Sequence, residues 1–264
     1  MIELKKVYYE NAALTMERME DEVIDLTVTS PPYDGLRVYN GYSFDFEAIA
    51  RGLWRVTKWG GVIVWVVSDQ TKDGTESGTS FLQALYFKSL GFNLHDTMIY
   101  EKVGLTMNHN RYEQEFEYMF VFSKGKPNTF NPIMVPCRFP ETNRTGKYSE
   151  TDEINRKAYS GKKRKPVQST KIKGNIWRYA VGKNHSTKDA IAFKHPAIFP
   201  EKLVRDHLLS WSNEGDLVYD PFAGSGTTPK VAQVLNRRWV ASEISEEYKP
   251  IIDERLRTLE NTLF

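Results

Sequence analysis

Short apolar runs and longer amphipathic segments alternate near both ends of the chain. Residues 23–29 form a β-branched run that stops at two consecutive prolines, which is typical of a buried strand. Residues 216–219 and 239–242 are further short apolar runs, and a segment of helical periodicity follows each of them. Alternation of this kind indicates strands joined by helices. We therefore predict an α/β fold built on a Rossmann-like, doubly wound, mostly parallel sheet.

The same patterns predict the remaining elements of the sheet and its helices. A buried strand over 62–67 follows two glycines, and strands over 94–100 and 116–122 suit an antiparallel hairpin within the parallel sheet. The predicted helices cover 81–90, 200–211, 228–235 and 247–259.

Charge is distributed unevenly along the chain. The 264 residues carry a formal net charge of only +2, which by itself argues against a nucleic-acid partner. Residues 138–188, however, hold 14 Lys or Arg and four Asp or Glu, a net +10, so the rest of the chain sums to −8. We call residues 136–188 the basic insert, and residues 1–135 with 189–264 the acidic body. The basic insert is either a solvated loop or a surface that neutralises phosphates. Its candidate phosphate contacts are Lys162, Lys163, Arg164, Lys165, Lys171 and Lys173.

Composition excludes several classes of protein. Cys137 is the single cysteine, so neither an intramolecular disulfide nor a cysteine-based zinc site can form. The five histidines do not stand at metal-ligand spacing, and we expect no metal. The N-terminus lacks the apolar core of a signal peptide, and the longest apolar run, 62–67, is far shorter than a membrane span. We expect a soluble, cytoplasmic protein that does not interact with a membrane.

A glycine-rich loop follows the predicted strand 216–219. Gly224 and Gly226 let the backbone approach a ligand closely, and the helix that starts after them offers unpaired N–H groups. Glu243 ends the next predicted strand, about 23 residues after Asp220, where a carboxylate can accept hydrogen bonds from ribose hydroxyls. This arrangement predicts a nucleoside-cofactor site. No Gly-Lys-Ser/Thr sequence is present, which excludes a P-loop.

Three segments together resemble one enzyme family. The string Asp-Pro-Phe-Ala-Gly-Ser-Gly-Thr-Thr at 220–228 resembles the cofactor motif of S-adenosylmethionine-dependent DNA amino-methyltransferases. The catalytic motif of that family resembles residues 29–33, Thr-Ser-Pro-Pro-Tyr. A further motif on the cofactor side resembles residues 195–203, His-Pro-Ala-Ile-Phe-Pro-Glu-Lys-Leu. The catalytic motif precedes the cofactor motif, an order that resembles the β group of the family. The resemblance implies that the acidic body is the catalytic methyltransferase domain and the basic insert its target-recognition region. It also implies S-adenosylmethionine as cofactor and double-stranded DNA as partner.

The resemblance also assigns roles to individual residues. An exocyclic amine is a weak nucleophile, so catalysis needs acceptors for its N–H groups, which the Ser30 hydroxyl and the Pro31 carbonyl can supply beside Pro32. Tyr33 offers an aromatic face to a base swung out of the duplex. The expected cofactor contacts are Asp34, Pro196, Phe199, Lys202, Asp220, Phe222, Ala223, Gly224, Ser225, Gly226, Thr227, Thr228 and Glu243.

Several alternatives stay open at the level of sequence. Ser30 occupies a position that is acidic in many adenine enzymes of the family, so cytosine N4 is favoured as the methylated atom and adenine N6 is the alternative. An alternative of another class is a nucleic-acid-binding module that has lost catalysis. RNA and protein-glutamine methyltransferases use related Pro-Pro-Tyr motifs, although the basic insert fits nucleic acid better. The resemblance permits both a monomer and a homodimer, and it leaves open whether a partner restriction endonuclease exists.

Overall fold

The structure of the protein is a computed structural model that describes residues 2–32, 44–103, 112–138, 168–198 and 200–260. It divides into two compact units. The larger comprises Met1–Asn131 with Asn175–Phe264, and the smaller comprises Pro132–Gly174.

A mixed sheet of eight strands is the centre of the larger unit. The strands are β1 (Lys6–Tyr8), β2 (Ile24–Thr29), β3 (Thr57–Val67), β6 (Asn93–Val103), β7 (Phe116–Ser123), β10 (Ile176–Ala180), β11 (Leu217–Asp220) and β12 (Arg238–Ser242). Their order in the sheet is β1-β12-β11-β2-β3-β7-β6-β10. β7 is antiparallel to both of its neighbours, and the other pairings are parallel. A separate two-stranded ribbon pairs β4 (Thr71–Lys72) with β5 (Thr75–Glu76).

Six α-helices accompany the sheet among the described residues. They are α1 (Ala12–Glu17), α2 (Phe46–Val56), α3 (Thr79–Ser89), α4 (Glu201–Trp211), α5 (Thr227–Val234) and α6 (Lys249–Glu260). α2 shows how the sequence forms them, because Asp45 caps its N-terminus by accepting a hydrogen bond from the Ala48 amide at 3.0 Å. Its apolar residues at helical spacing, among them Ile49 and Leu53, are buried in the core of the sheet.

The direction of the connections places a crevice in the middle of the sheet. β11 leads through α5 to β12 on one side, whereas β2 leads through α2 to β3 on the other. The strand order therefore reverses between the neighbouring parallel strands β11 and β2. In open α/β sheets, ligands bind at such a reversal, outside the carboxyl ends of the strands.

The predicted α/β fold with its antiparallel hairpin is confirmed. β6 and β7 form the hairpin predicted at 94–100 and 116–122. The pattern predicted neither β1 nor β10, and these are the two edge strands. Both are short, and in β10 only Trp177 and Tyr179 are buried, so neither segment carries a long apolar run.

The smaller unit contains an antiparallel pair, β8 (Met134–Pro136) with β9 (Thr170–Ile172). Residues 175–188, which the charge pattern assigned to the basic insert, lie in the larger unit, because β10 is hydrogen-bonded to β6 within the large sheet. The smaller unit thus ends at Gly174, whereas the predicted basic insert extends to residue 188. In the described part of the chain, no helix is both long and apolar enough to cross a membrane.

Candidate functional site

Two hydrogen bonds join the strands on either side of the crevice. The Thr29 hydroxyl, at the end of β2, donates to Asp220 Oδ1 at the end of β11 over 2.6 Å. The Thr228 hydroxyl, in the first turn of α5, donates to the Val28 carbonyl at 3.1 Å. The segment that opens the predicted catalytic motif is therefore bonded directly to the predicted cofactor motif.

Asp220 is a buried carboxylate at the base of the crevice, with only 1% of its surface exposed. Oδ1 accepts hydrogen bonds from the Thr29 hydroxyl and from the Phe222 amide. Oδ2 is buried and has no hydrogen-bond partner among the described residues. Burial raises the pKa of Asp220 to about 6, although the hydrogen bonds to Thr29 and Phe222 oppose the shift. A buried acceptor without a partner has an unfavourable desolvation energy that a bound donor would relieve.

Glu243 follows β12 and is connected to the glycine loop. Its Oε2 accepts from the Gly224 amide at 2.8 Å, and its Oε1 from the Ser245 amide at 2.9 Å. Burial raises the pKa of Glu243 to about 7, against the effect of these two backbone hydrogen bonds. Each carboxylate oxygen has a second lone pair, so Glu243 can accept further hydrogen bonds from a ligand.

The glycine loop takes a backbone conformation that suits glycine. Gly224 has φ +53° and Gly226 has φ +80°, both in the left-handed region, and α5 starts at the residue after Gly226. A Cβ on Gly224 would lie 3.1 Å from Cε1 of His195. The loop is therefore packed directly against the segment that holds the third predicted motif. The first N–H groups of α5 form a site that favours partial negative charge.

The predicted catalytic residues lie at the same edge of the sheet. Ser30 and Pro32 are half-buried and Pro31 is buried, and all three directly follow β2. Tyr33, Asp34 and Phe199 lie outside the described residues.

The other predicted cofactor residues occupy different environments. Phe222 packs edge-on against Phe44 and Trp65, at centroid distances of 5.3 Å and 6.2 Å. Ala223 is buried against α6, so its side chain belongs to the core. Pro196 is exposed, as is Lys202 in the first turn of α4.

The structure describes two of the six candidate phosphate contacts, and both lie in the smaller unit. Lys171 is exposed on β9, and Lys173 is half-buried with its amide donating to the Ile133 carbonyl. Lys162, Lys163, Arg164 and Lys165 lie outside the described residues.

Sequence reasoning missed several residues in the site or beside it. Thr29 opens the predicted catalytic motif without a role of its own, yet its hydroxyl connects the two central strands. An ionic cluster of the half-buried Asp189, Glu201 and Lys230 with the buried Arg255 adjoins the glycine loop. Its members lie in four separate segments, so no local spacing could have indicated it. The one available signal was an arginine on the apolar face of a C-terminal helix.

Sequence comparisons find close relatives of this chain. A family model for N6 and N4 methyltransferases, described as DNA methylase, matches residues 24–254. The orphan methyltransferase M.BamHII of Bacillus amyloliquefaciens is 55% identical over 246 residues, which is 91% of each chain. The type II methyltransferase M.BglII of Bacillus subtilis is 28% identical and aligns with 94% of this chain and 68% of its own length.

Comparison of folds finds similar solved structures. PvuII DNA methyltransferase, described as cytosine-N4-specific, superposes with a TM-score of 0.70 at 20% identity, covering 95% of this chain and 85% of that one. A DNA modification methylase of Thermus thermophilus, solved in complex with S-adenosyl-L-methionine, superposes with a TM-score of 0.61 at 23% identity, covering 95% and 93%. At sequence identities of 20% and 23%, the two superpositions are evidence for the fold alone.

Proposed function

Because the chain belongs to the N6/N4 family of DNA methyltransferases, we propose that it transfers a methyl group from S-adenosylmethionine to the N4 amine of cytosine in double-stranded DNA. The observation that carries the proposal is the hydrogen bond from Thr29 to Asp220. It brings the start of the Ser30–Pro32 segment and the glycine loop to one crevice, as a transfer between two bound molecules requires.

The residues of the crevice fit the family's cofactor. S-adenosylmethionine carries a ribose with two hydroxyl donors, an ammonium group, a carboxylate and a positively charged sulfonium. The carboxylate of Glu243 and the unpartnered Oδ2 of Asp220 are buried acceptors for such donors. The glycine backbone and the start of α5 present N–H groups that suit the carboxylate. When bound, the cofactor supplies an electrophilic methyl group.

The catalytic segment acts on the amine of the base. That nitrogen is a poor nucleophile because its lone pair is delocalised into the ring. The Ser30 hydroxyl and the Pro31 carbonyl would accept hydrogen bonds from its two N–H groups and thereby localise the lone pair on nitrogen. Proline has no N–H of its own to compete for these contacts. The amine nitrogen would gain the methyl group as the methyl–sulfur bond breaks, release one proton to solvent and leave S-adenosylhomocysteine, so the chemistry requires no covalent enzyme intermediate and no cysteine.

The choice of cytosine over adenine rests on Ser30. The serine form of the motif is commoner in enzymes that methylate cytosine N4, and adenine N6 remains the second candidate for the methylated atom. The basic insert is proposed as the region that reads the target sequence, since its surplus of Lys and Arg suits DNA phosphates.

Identification of the modified nucleoside tests the proposal. The protein is incubated with duplex DNA and S-adenosylmethionine labelled in its methyl group, and the DNA is digested to nucleosides and separated by mass. We expect labelled N4-methylcytosine. Labelled N6-methyladenine would instead identify adenine N6 as the methylated atom. DNA that is bound but carries no labelled methyl group would favour a nucleic-acid-binding module that has lost catalysis.

Ser30→Ala tests the catalytic role within the same assay. We expect turnover to fall at least about a hundredfold, as for the loss of one acceptor that acts in the transition state, with little change in cofactor affinity. Ser123→Ala is the matched control, because Ser123 is a buried serine that ends β7 at the opposite edge of the sheet. Parallel loss of turnover and cofactor affinity in Ser30→Ala would contradict the assigned role.

A further inference from the structure

A buried arginine of the last helix contacts the glycine loop. Arg255 lies on α6, and its side chain is 0% exposed. Its Nη1 donates to the carbonyl oxygen of Ser225 at 2.7 Å, to the Ser225 hydroxyl at 3.0 Å and to the Thr227 hydroxyl at 3.1 Å. Ser225 lies between Gly224 and Gly226, and Thr227 directly follows Gly226. One guanidinium group therefore holds the turn in which the loop becomes α5.

The remaining nitrogens of the same guanidinium bind two acids. Nε donates to Asp189 Oδ2 at 2.9 Å, and Nη2 donates to Glu201 Oε1 at 2.6 Å. Lys230 Nζ contacts the same two oxygens, at 2.6 Å and 2.8 Å. Two cations thus face two carboxylates, and the four side chains together are electrically neutral.

The acids come from the segment that carries the third motif. Asp189 precedes that motif, and Glu201, within it, opens α4. Burial disfavours the charged form of Asp189, but hydrogen bonds from Lys230 and Arg255 outweigh this and hold its pKa below the ordinary value. Arg255 therefore links a charged part of the 189–201 segment to the glycine loop.

We propose that Arg255 is a positioning residue for cofactor binding, which holds the glycine loop in its binding conformation and ties it to the segment around Glu201. The inference rests on the proposed function, because it concerns the same site. Arg255 does not itself need to contact the cofactor, since its side chain is shielded from solvent by the loop and the two acids.

The role requires arginine in particular. The planar guanidinium presents donors in fixed, diverging directions, so it can bind two acids on one side and a carbonyl and hydroxyls on another. A lysine ammonium is a single point on a flexible stem. Lysine at this position would keep the charge that balances Asp189 and Glu201 but could not also hold Ser225 and Thr227.

Arg255→Lys in the full-length protein tests the inference. We expect the dissociation constant for S-adenosylmethionine, measured by calorimetry without DNA, to rise about tenfold or more through loss of charge-assisted hydrogen bonds to the loop. KM for S-adenosylmethionine should rise in parallel, whereas kcat and KM for DNA should change less than about threefold. Cofactor affinity within about twofold of the wild type, in a folded variant, would overturn the inference.

Two control variants separate positioning from general stability. Arg257→Lys makes the same change two residues along α6, where Arg257 is exposed and paired with Glu254, and it should leave the affinity unchanged. Lys230→Met removes the other cation that pairs with Asp189 and Glu201, and it leaves the hydrogen bonds from Arg255 to the glycine loop in place. The inference expects its cofactor affinity to stay within about threefold of the wild type at a temperature where both are folded. A loss as large as that of Arg255→Lys would show that the cluster acts only through stability.

A further variant serves if Arg255→Lys does not fold. Ser225→Ala removes one acceptor of Nη1, because the Ser225 hydroxyl, 3% exposed, accepts from the arginine. We expect a several-fold loss of cofactor affinity with the melting temperature lowered by only about 2–4 °C, and an unchanged affinity would overturn the inference. Wild-type protein that binds no S-adenosylmethionine would contradict the proposed function itself.

Discussion

At the scale of single residues, two buried carboxylates of the site can accept hydrogen bonds from a ligand but lower the free energy of unfolding of the free protein. Asp220 and Glu243 are both buried, and burial raises both pKa values to near neutrality. An acid whose pKa is higher in the folded than in the unfolded protein binds protons more tightly when folded. The free energy of unfolding therefore falls as the pH rises, between about pH 4 and pH 7. The two carboxylates lie where they destabilise the free protein, which is typical of a binding site.

Asp220→Asn should stabilise the free protein at alkaline pH. Asparagine keeps an acceptor oxygen for Thr29 and Phe222 but has no charge to desolvate. A shift of about two pKa units corresponds to about 3 kcal/mol, so the free energy of unfolding should rise by up to that amount at pH 8 and by less at pH 5. Chemical denaturation at the two pH values measures the difference.

The same variant should bind S-adenosylmethionine more weakly, because Asn presents a donor where Oδ2 is an acceptor. Asp73→Asn, at an exposed turn between β4 and β5, is the control and should change neither quantity. A variant of Asp220 that loses stability at pH 8 would refute this account of the carboxylate.

At the scale of elements, the glycine loop is constrained by its neighbours as well as by any ligand. Gly224 has a left-handed φ, and its missing side chain leaves room for the ring of His195. The His195 ring itself packs on Tyr248 at a centroid distance of 4.2 Å. The loop, the third motif and the turn before α6 therefore form one packed unit, so a change at Gly224 should affect all three.

Gly224→Ala should cost both stability and cofactor affinity. The left-handed φ costs a non-glycine residue about 1–2 kcal/mol, and the new Cβ would crowd His195. Gly215→Ala is a matched control, because Gly215 has φ +81° and no heavy atom within 4 Å of its added Cβ. We expect similar strain in both variants, but at least about a tenfold loss of S-adenosylmethionine affinity in Gly224→Ala alone. Calorimetry measures the S-adenosylmethionine affinity of both variants. Equal affinities would show that the contact between the added Cβ and His195 does not affect cofactor binding.

At the scale of the whole molecule, charge separates along the chain. The basic insert carries a large surplus of positive charge and the acidic body is net negative. DNA affinity should therefore depend on the insert and on salt, whereas cofactor affinity should depend on the larger unit alone.

Replacement of Lys162, Lys163, Arg164 and Lys165 by alanine should weaken DNA binding and flatten its dependence on salt. Each lost phosphate contact reduces the slope of log affinity against log salt by about 0.9. Titration of labelled duplex at several salt concentrations measures the slope, and cofactor affinity serves as the internal control. A slope equal to that of the wild type would indicate that the segment is a solvated loop.

The sequence by itself determined the fold class and the family, and it predicted the residues of the candidate site. Periodicity and turn chemistry act locally, so β2, β11, β12 and the glycine loop could be predicted from a few consecutive residues. The short edge strands β1 and β10 could not, because their pairing depends on partners far along the chain.

Only the tertiary structure decided which residues support the site. The Thr29–Asp220 bond joins positions 191 residues apart, and Arg255 meets acids 66 and 54 residues before it. Such contacts leave no spacing in the sequence, because a buried polar group takes its partner from whichever segment the fold brings within hydrogen-bond distance. The sequence thus determined which functional side chains the protein contains. The packing of distant segments decided which partners hold those side chains in position.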